Sequence, residues 1–267
     1  IGPLDKTLGL YEAYMDARNM KNSDFSFRFG RMNLGKYGTE MLVGDDDFIR
    51  GRSFESWRLR YETQKITSDL MWVQLYTQTT DTIFGTAWHH PVFFSSFNTI
   101  RIKESVNLDV NLPFIVDQYV GPWRTYTLMP DVRLFGNAKG FRYSAEFIYQ
   151  GGWAKGYIDK TKKGTVQSYA GEVSMGYFHP KGKLVADVSY YYASGDENVT
   201  DNTLKSFNTL WQNEHRRFGH IDAFRGSNIQ ATTLHFNYRI VKYIDMGIHA
   251  VYARVNVPND KSPQINT

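Results

Sequence analysis

The chain has no cysteine in its 267 residues. That excludes disulfides, iron–sulfur clusters and thiolate zinc sites, while leaving the compartment open. It also has no run of about 18 apolar residues, which excludes a transmembrane helix. A net charge of +4 falls well short of a polybasic nucleic-acid binder. No Gly-rich phosphate loop, nucleotide fingerprint or Ser-His-Asp order occurs. These absences point away from an enzyme and imply no cofactor. The sequence opens at Ile1 without a signal peptide and closes on the loop-like Ser262–Thr267, so it reads as a mature or excerpted segment of a longer protein.

Aromatic residues, by contrast, are abundant, with 18 Tyr, 18 Phe and 6 Trp. That content fits a membrane barrel with aromatic girdles at both interfaces. Mean hydropathy is −0.46, as expected when half of every strand is polar. Polar and apolar residues alternate along the chain, most clearly in Val106-Asn107-Leu108-Asp109-Val110-Asn111-Leu112. Strand side chains change faces at every residue, so the Val and Leu residues point one way and the Asn and Asp residues the other. This pattern predicts strands near 7–17, 25–31, 54–63, 70–78, 92–101, 106–116, 123–135, 141–150, 166–178, 184–194, 229–240 and 246–255. Pro130 requires a bulge in the seventh, because proline removes a ladder donor.

The connections alternate too. Short turns follow the odd strands (Asn19–Asp24, Gln64–Asp69, Ile102–Ser105, Gly136–Gly140, His179–Lys183, Val241–Asp245), and longer loops follow most even ones (Met32–Ser53, Thr79–Pro91, Gly151–Thr165, Gly195–Asn228). Outer-membrane barrels have short periplasmic turns and long external loops. The first strand therefore runs from outside to periplasm. The expectation is an all-β, antiparallel, up-and-down transmembrane barrel in one domain over 1–267, with about 12 strands in view of at least about 14 in the parent barrel.

The alternation assigns faces. Rows such as Phe25, Phe27, Phe29 and Leu234, Phe236, Tyr238, Ile240 point to lipid. The interior receives Arg28, Arg58, Arg60, Asp109, Asp131, Arg133, Arg142, Glu146, Glu172, Asp187, His235 and Arg239. An Arg on the lipid face at mid-bilayer would cost about 2–4 kcal/mol, which pins the register. Arg28, Arg58 and Arg60 should cluster at mid-depth, and Arg133 and Arg142 should form a basic periplasmic entrance with Lys139. The long Gly195–Asn228 loop, carrying His215, Arg216, Arg217, His220 and Asp222 beside several apolar residues, reads as an inward-folding constriction or closure rather than a catalytic set. Asp45-Asp46-Asp47 lacks the regular alternation of a calcium loop, and the adjacent His89-His90 pair is poorly placed to chelate one ion, so no metal is expected.

Several segments carry a family resemblance. Phe29-Gly30-Arg31 leads into a loop with Tyr37-Gly38 and returns through Gly51-Arg52-Ser53-Phe54; Tyr192-Ala193-Ser194-Gly195-Asp196 ends a strand before the longest loop. In order and spacing these resemble the alginate-export family of outer-membrane barrels, with Met32 and Asn33 departing from its pattern. The resemblance implies a bacterial outer-membrane location and a conduit passing an acidic polysaccharide, or smaller anionic solutes, through a lumen of Arg and interleaved carboxylates. Arg suits carboxylate ligands through its bidentate fork. The competing reading is structural: the inward charges form a salt-bridged scaffold, and the barrel docks a larger envelope assembly. Lipid is the expected partner in either case, with envelope proteins as further partners in the second.

Overall fold

The computed structural model describes residues 11–20, 23–44, 52–75, 77–81, 85–89, 91–120, 123–156, 161–179, 182–198, 200–213, 215–218, 226–258 and 260. In chain order the strands are β1 (Ala13–Ala17), β2 (Phe25–Met32), β3 (Phe54–Glu62), β4 (Ile66–Gln74), β5 (Thr77–Asp81), β6 (Gly85–His89), β7 (Val92–Lys103) and β8 (Val106–Val120). They continue with β9 (Trp123–Leu128), β10 (Asp131–Ala138), β11 (Phe141–Gly156), β12 (Lys163–Phe178), β13 (Leu184–Ala193), β14 (Thr203–Leu204), β15 (Ile229–Val241) and β16 (Ile244–Val255). Among the described residues there is one short helix, α1 (His215–Phe218), which stands before β15.

Fourteen strands form one sheet, and its main path runs β1-β2-β3-β4-β7-β8-β10-β11-β12-β13-β15-β16. Each strand on the path is antiparallel to the next. The path matches the twelve strands expected from alternation. β9 and β10 together fill one place, since both pair with β8 and β11. Between them lies Met129-Pro130, the irregularity that proline demands. The Pro130 carbonyl still accepts from Tyr149 N–H at 3.1 Å, so the break costs the ladder little.

Several boundaries differ from the sequence reading, among them the end of β8, which runs to Val120, and the start of β12 at Lys163. β4 begins at Ile66, not near residue 70, so Asp69 is a strand residue. Thr67, Ser68 and Asp69 are residue types common in turns, yet here their pairing with β3 and β7 prevails. The segment expected as a plain loop at 79–91 holds the β5–β6 hairpin. β11 runs on to Gly156 through Gly151-Gly152, which reads as loop because glycine weakens strands. There, Gly152 is set by close approach: a Cβ would sit 1.9 Å from the Tyr126 carbonyl oxygen.

One end of the wall closes with two-residue turns, Glu104-Ser105, Lys139-Gly140 and Lys242-Tyr243. The other carries the long connections. The faces separate as the alternation requires. Phe147, Val173 and Leu234 are each more than half exposed on the outer side, whereas Asp109, Glu146 and Glu172 are about 5% exposed on the inner side. On the external half the inner face is apolar instead, with Met71, Phe93, Ile115, Ile148 and Tyr191 buried. Leu34, Met41, Leu42 and Val43 from the first long loop and Phe207, Leu210 and Phe218 from the last cover them. Each such fully buried side chain is worth roughly 1.5–3 kcal/mol, which holds the two loops inside the wall.

Candidate functional site

Below the apolar layer lies a belt of ionisable residues supplied by consecutive strands. Alternation on β2 and β3 sets Arg28 directly across from Arg58, and Ser26 across from Arg60. Two like charges face each other there, and acids from the flanking strands relieve them. Arg28 Nη2 meets Asp16 Oδ2 at 2.7 Å. Arg60 donates twice to Asp69, at 2.7 Å each, in a bidentate fork. Asp69 also accepts from the Tyr37 hydroxyl at 2.8 Å, and the Tyr37 ring stacks on Phe97 with centroids 3.8 Å apart. Arg58 lies beside the Tyr37 hydroxyl. These three Arg residues line a recess of 310 Å³ with Arg18, Asn19 and Glu62. Arg18 and Asn19 belong to the β1–β2 turn, so the cluster sits in the periplasmic half, not at mid-depth.

On the opposite wall, Arg133 is in register with both Asp109 and Glu146, and its Nε lies 3.4 Å from Asp109 Oδ2. Asn111 donates to Asp131 at 2.7 Å. Glu146 and Glu172 face each other across β11 and β12. Each is met by a loop descending from outside. Thr39 N–H donates to Glu146 at 2.5 Å. Arg217 Nε donates to Glu172 at 2.5 Å, with both side chains 4% exposed, and Arg216 approaches the same carboxylate at 3.7 Å. Arg217 also donates to the Thr39 carbonyl and hydroxyl, and Arg216 donates to the same carbonyl. Asn213 donates to Glu40 at 3.0 Å. The first and last long loops are thereby tied to the wall and to each other.

Gly38 makes this seating possible. Its φ is +61°, and a Cβ would fall 2.3 Å from Glu146 Oε1.

Below the loops is a cavity of 590 Å³ lined by Arg133, Arg142, Glu172, Asp187, Arg216 and His235 among others. Arg142 lies over the Phe178 ring at 3.9 Å. Among the described residues no carboxylate comes within ion-pair distance of Arg142 or Arg58. His235 Nδ1 lies 3.0 Å from Asp187. Arg239 pairs with Asp245 at 2.8 Å in an exposed position near the Lys242-Tyr243 turn. His215 opens α1. Asp222, with Asp45–Asp47, His90 and His220, lies outside the described residues. Sequence reasoning missed Tyr37, Thr39, Glu40, Asp69 and Asn213. A correct start for β4 would have exposed Asp69; the loop residues carry no periodic signal.

An outer wall of apolar and aromatic side chains, an inner belt of ions, tight turns at one end and inward-folded loops at the other define a porin-like outer-membrane β-barrel. The chain belongs to the Alginate export family, whose model matches residues 5–260. Its place is the bacterial outer membrane, in contact with lipid, and its coarse role is that of a channel for small solutes or polysaccharide. Among curated proteins none matches this sequence. Solved structures similar to it include Pseudomonas aeruginosa OccK7 (OpdD), at 9% identity and TM-score 0.41 over 87% of this chain and 70% of that one. P. aeruginosa OccK8 (OprE) gives 8% identity and TM-score 0.38 over 86% and 73%. A BenF-like porin from Pseudomonas fluorescens Pf-5 gives 8% identity and TM-score 0.34 over 87% and 74%.

Proposed function

We propose that the chain passes anionic polysaccharide or small anionic solutes by passive diffusion along its Arg-containing interior, and that the two inward loops constrict the external mouth. The observation that carries the reading is the inequality among the arginines. Arg28, Arg60, Arg133 and Arg217 are each engaged by a carboxylate, and they serve the wall. Arg58 and Arg142 have no such partner among the described residues and face the two recesses of the periplasmic half. A guanidinium without a carboxylate partner in a confined wet space concentrates anions and offers a bidentate fork to a carboxylate group. The test is the reversal potential under a salt gradient across planar bilayers. The channel should prefer anions, and Arg58→Ala with Arg142→Ala should reduce that preference. Unchanged selectivity in the double variant rejects the reading.

One observation favours a second reading. The apolar cluster filling the external half suits a non-conducting barrel that docks an envelope partner. Negligible conductance together with stoichiometric co-purifying chains would support it over transport.

A further inference from the structure

Asp187 on β13, His235 on β15 and His249 on β16 stand in one row across three neighbouring strands. Their chain neighbours Val188, Leu234 and Ile248 are exposed on the outer wall, so alternation turns the row inward. All three residues line the 590 Å³ cavity. The His235 and His249 rings meet edge to face, with centroids 6.1 Å apart and planes 76° apart. His235 Nδ1 lies 3.0 Å from Asp187 Oδ2. Sequence spacing gives no sign of the pair, since only the β15–β16 register brings the two rings together.

The partner chosen for Asp187 is informative. Asp16, Asp69, Asp109 and Glu172 on the same inner face are met by Arg, whereas Asp187 is met by an imidazole. Arg offers a permanent cation and no lone pair. A neutral His whose Nδ1–H is taken by a carboxylate keeps a lone pair on Nε2, and a carboxylate on the far ring nitrogen is a usual partner of a metal-ligating His. Nε2 stands on the ring edge away from Asp187, the side on which β16 places His249. The spacing admits one ion between the rings. At metal–nitrogen bonds of about 2.0–2.1 Å, two imidazoles on one ion stand about 5–6 Å apart between centroids, so the observed 6.1 Å closes with a small side-chain rotation. His249 is exposed and the His235 side chain is 43% exposed, which leaves both rings room to turn. Among the described residues no three His, Asp or Glu side chains converge to hold an ion, so two nitrogens are what the wall supplies here. Of the cations sharing the cavity with Arg142, Arg216 and Arg217 are drawn to Glu172, and Asp187 is the carboxylate beside the pair.

We propose that His235 and His249 bind one divalent transition-metal ion of the zinc or copper kind, which imidazole suits as a ligand. Asp187 is the positioning residue for His235. The other coordination positions face the cavity and take water or an anionic oxygen. The inference is independent of which solute passes through the interior.

The test is titration of the tag-free, detergent-purified protein with Zn²⁺ by calorimetry and with Cu²⁺ by electron paramagnetic resonance. Wild type should bind Zn²⁺ and show two nitrogens on the copper. His235→Ala and His249→Ala should each weaken zinc binding at least tenfold and leave one nitrogen. Asp187→Asn should weaken zinc binding roughly tenfold and keep both nitrogens, because it loosens His235 without removing a ligand. His89→Ala combined with His90→Ala should bind like wild type. Heat-modifiable gel migration checks that each barrel is folded. Wild-type affinity in either single-histidine variant at 235 or 249, or loss of binding in the His89 and His90 double variant, overturns the proposal.

Discussion

Arg217 and Glu172 form a buried ion pair at 2.5 Å, each 4% exposed, that joins the last external loop to the middle of the barrel wall. Removing one member of such a pair leaves a buried charge without its partner, at a cost of roughly 3–5 kcal/mol. Arg217→Ala should therefore release the loop, raising single-channel conductance and opening the 194–228 segment to external protease. Arg217→Met combined with Glu172→Met should return toward wild-type conductance and protection, because the apolar pair needs no compensation. Equal conductance in wild type and Arg217→Ala would show that this contact does not hold the mouth.

Gly38 bears on the same closure from the first loop. Its φ is +61°, and a Cβ added there would fall 2.3 Å from Glu146 Oε1, which leaves no room for a side chain. A non-glycine residue in the left-handed region costs about 1–2 kcal/mol before any clash is counted. Gly38→Val should detach Thr39 from Glu146 and raise conductance as Arg217→Ala does. The two changes together should be less than additive, since both act on one tied pair of loops.

How much of this was legible follows from where each residue's information lies. Asp109, Arg133, Glu146 and Glu172 sit in strands whose period of two is unbroken, so their face can be read from their neighbours. Asp69 was hidden because Thr67-Ser68-Asp69 resembles a turn, and only its pairing partners on β3 and β7 show otherwise. The contact from Thr39 to Glu146 spans 107 residues and joins a loop to a strand. Nothing periodic in Tyr37–Glu40 announces it. The inward course of the last loop was readable from its Phe207, Leu210 and Phe218, which need an apolar surface; its docking onto Glu172 was not.

The wall itself offers a paired comparison. Phe147 is outward and 54% exposed, while Ser144, three residues earlier on the same strand, lines the inner cavity. Phe147→Arg should impair insertion by about 2–4 kcal/mol, the cost of a lipid-facing Arg near mid-bilayer. Ser144→Arg should insert with little loss. Folding yield into liposomes, followed by heat-modifiable migration, measures both. Equal yields would place both residues on the wrong sides.

Asp69 offers a gain rather than a loss. It accepts both bonds of the Arg60 fork. Asp69→Asn should leave Arg60 charged but less tightly held and raise the anion preference seen in reversal potentials. An unchanged reversal potential would mean that this ion pair does not contribute to the sign of the interior.

The most direct test of a wet, conducting interior uses the absence of cysteine. Ser174 lines the inner cavity, and its neighbour Val173 is 53% exposed on the outer wall. Single cysteines at the two positions, exposed to a negatively charged methanethiosulfonate reagent during current recording, should respond differently. Current should fall stepwise for Ser174→Cys and stay unchanged for Val173→Cys. No response at position 174, or an equal response at both, would contradict a wet, conducting interior.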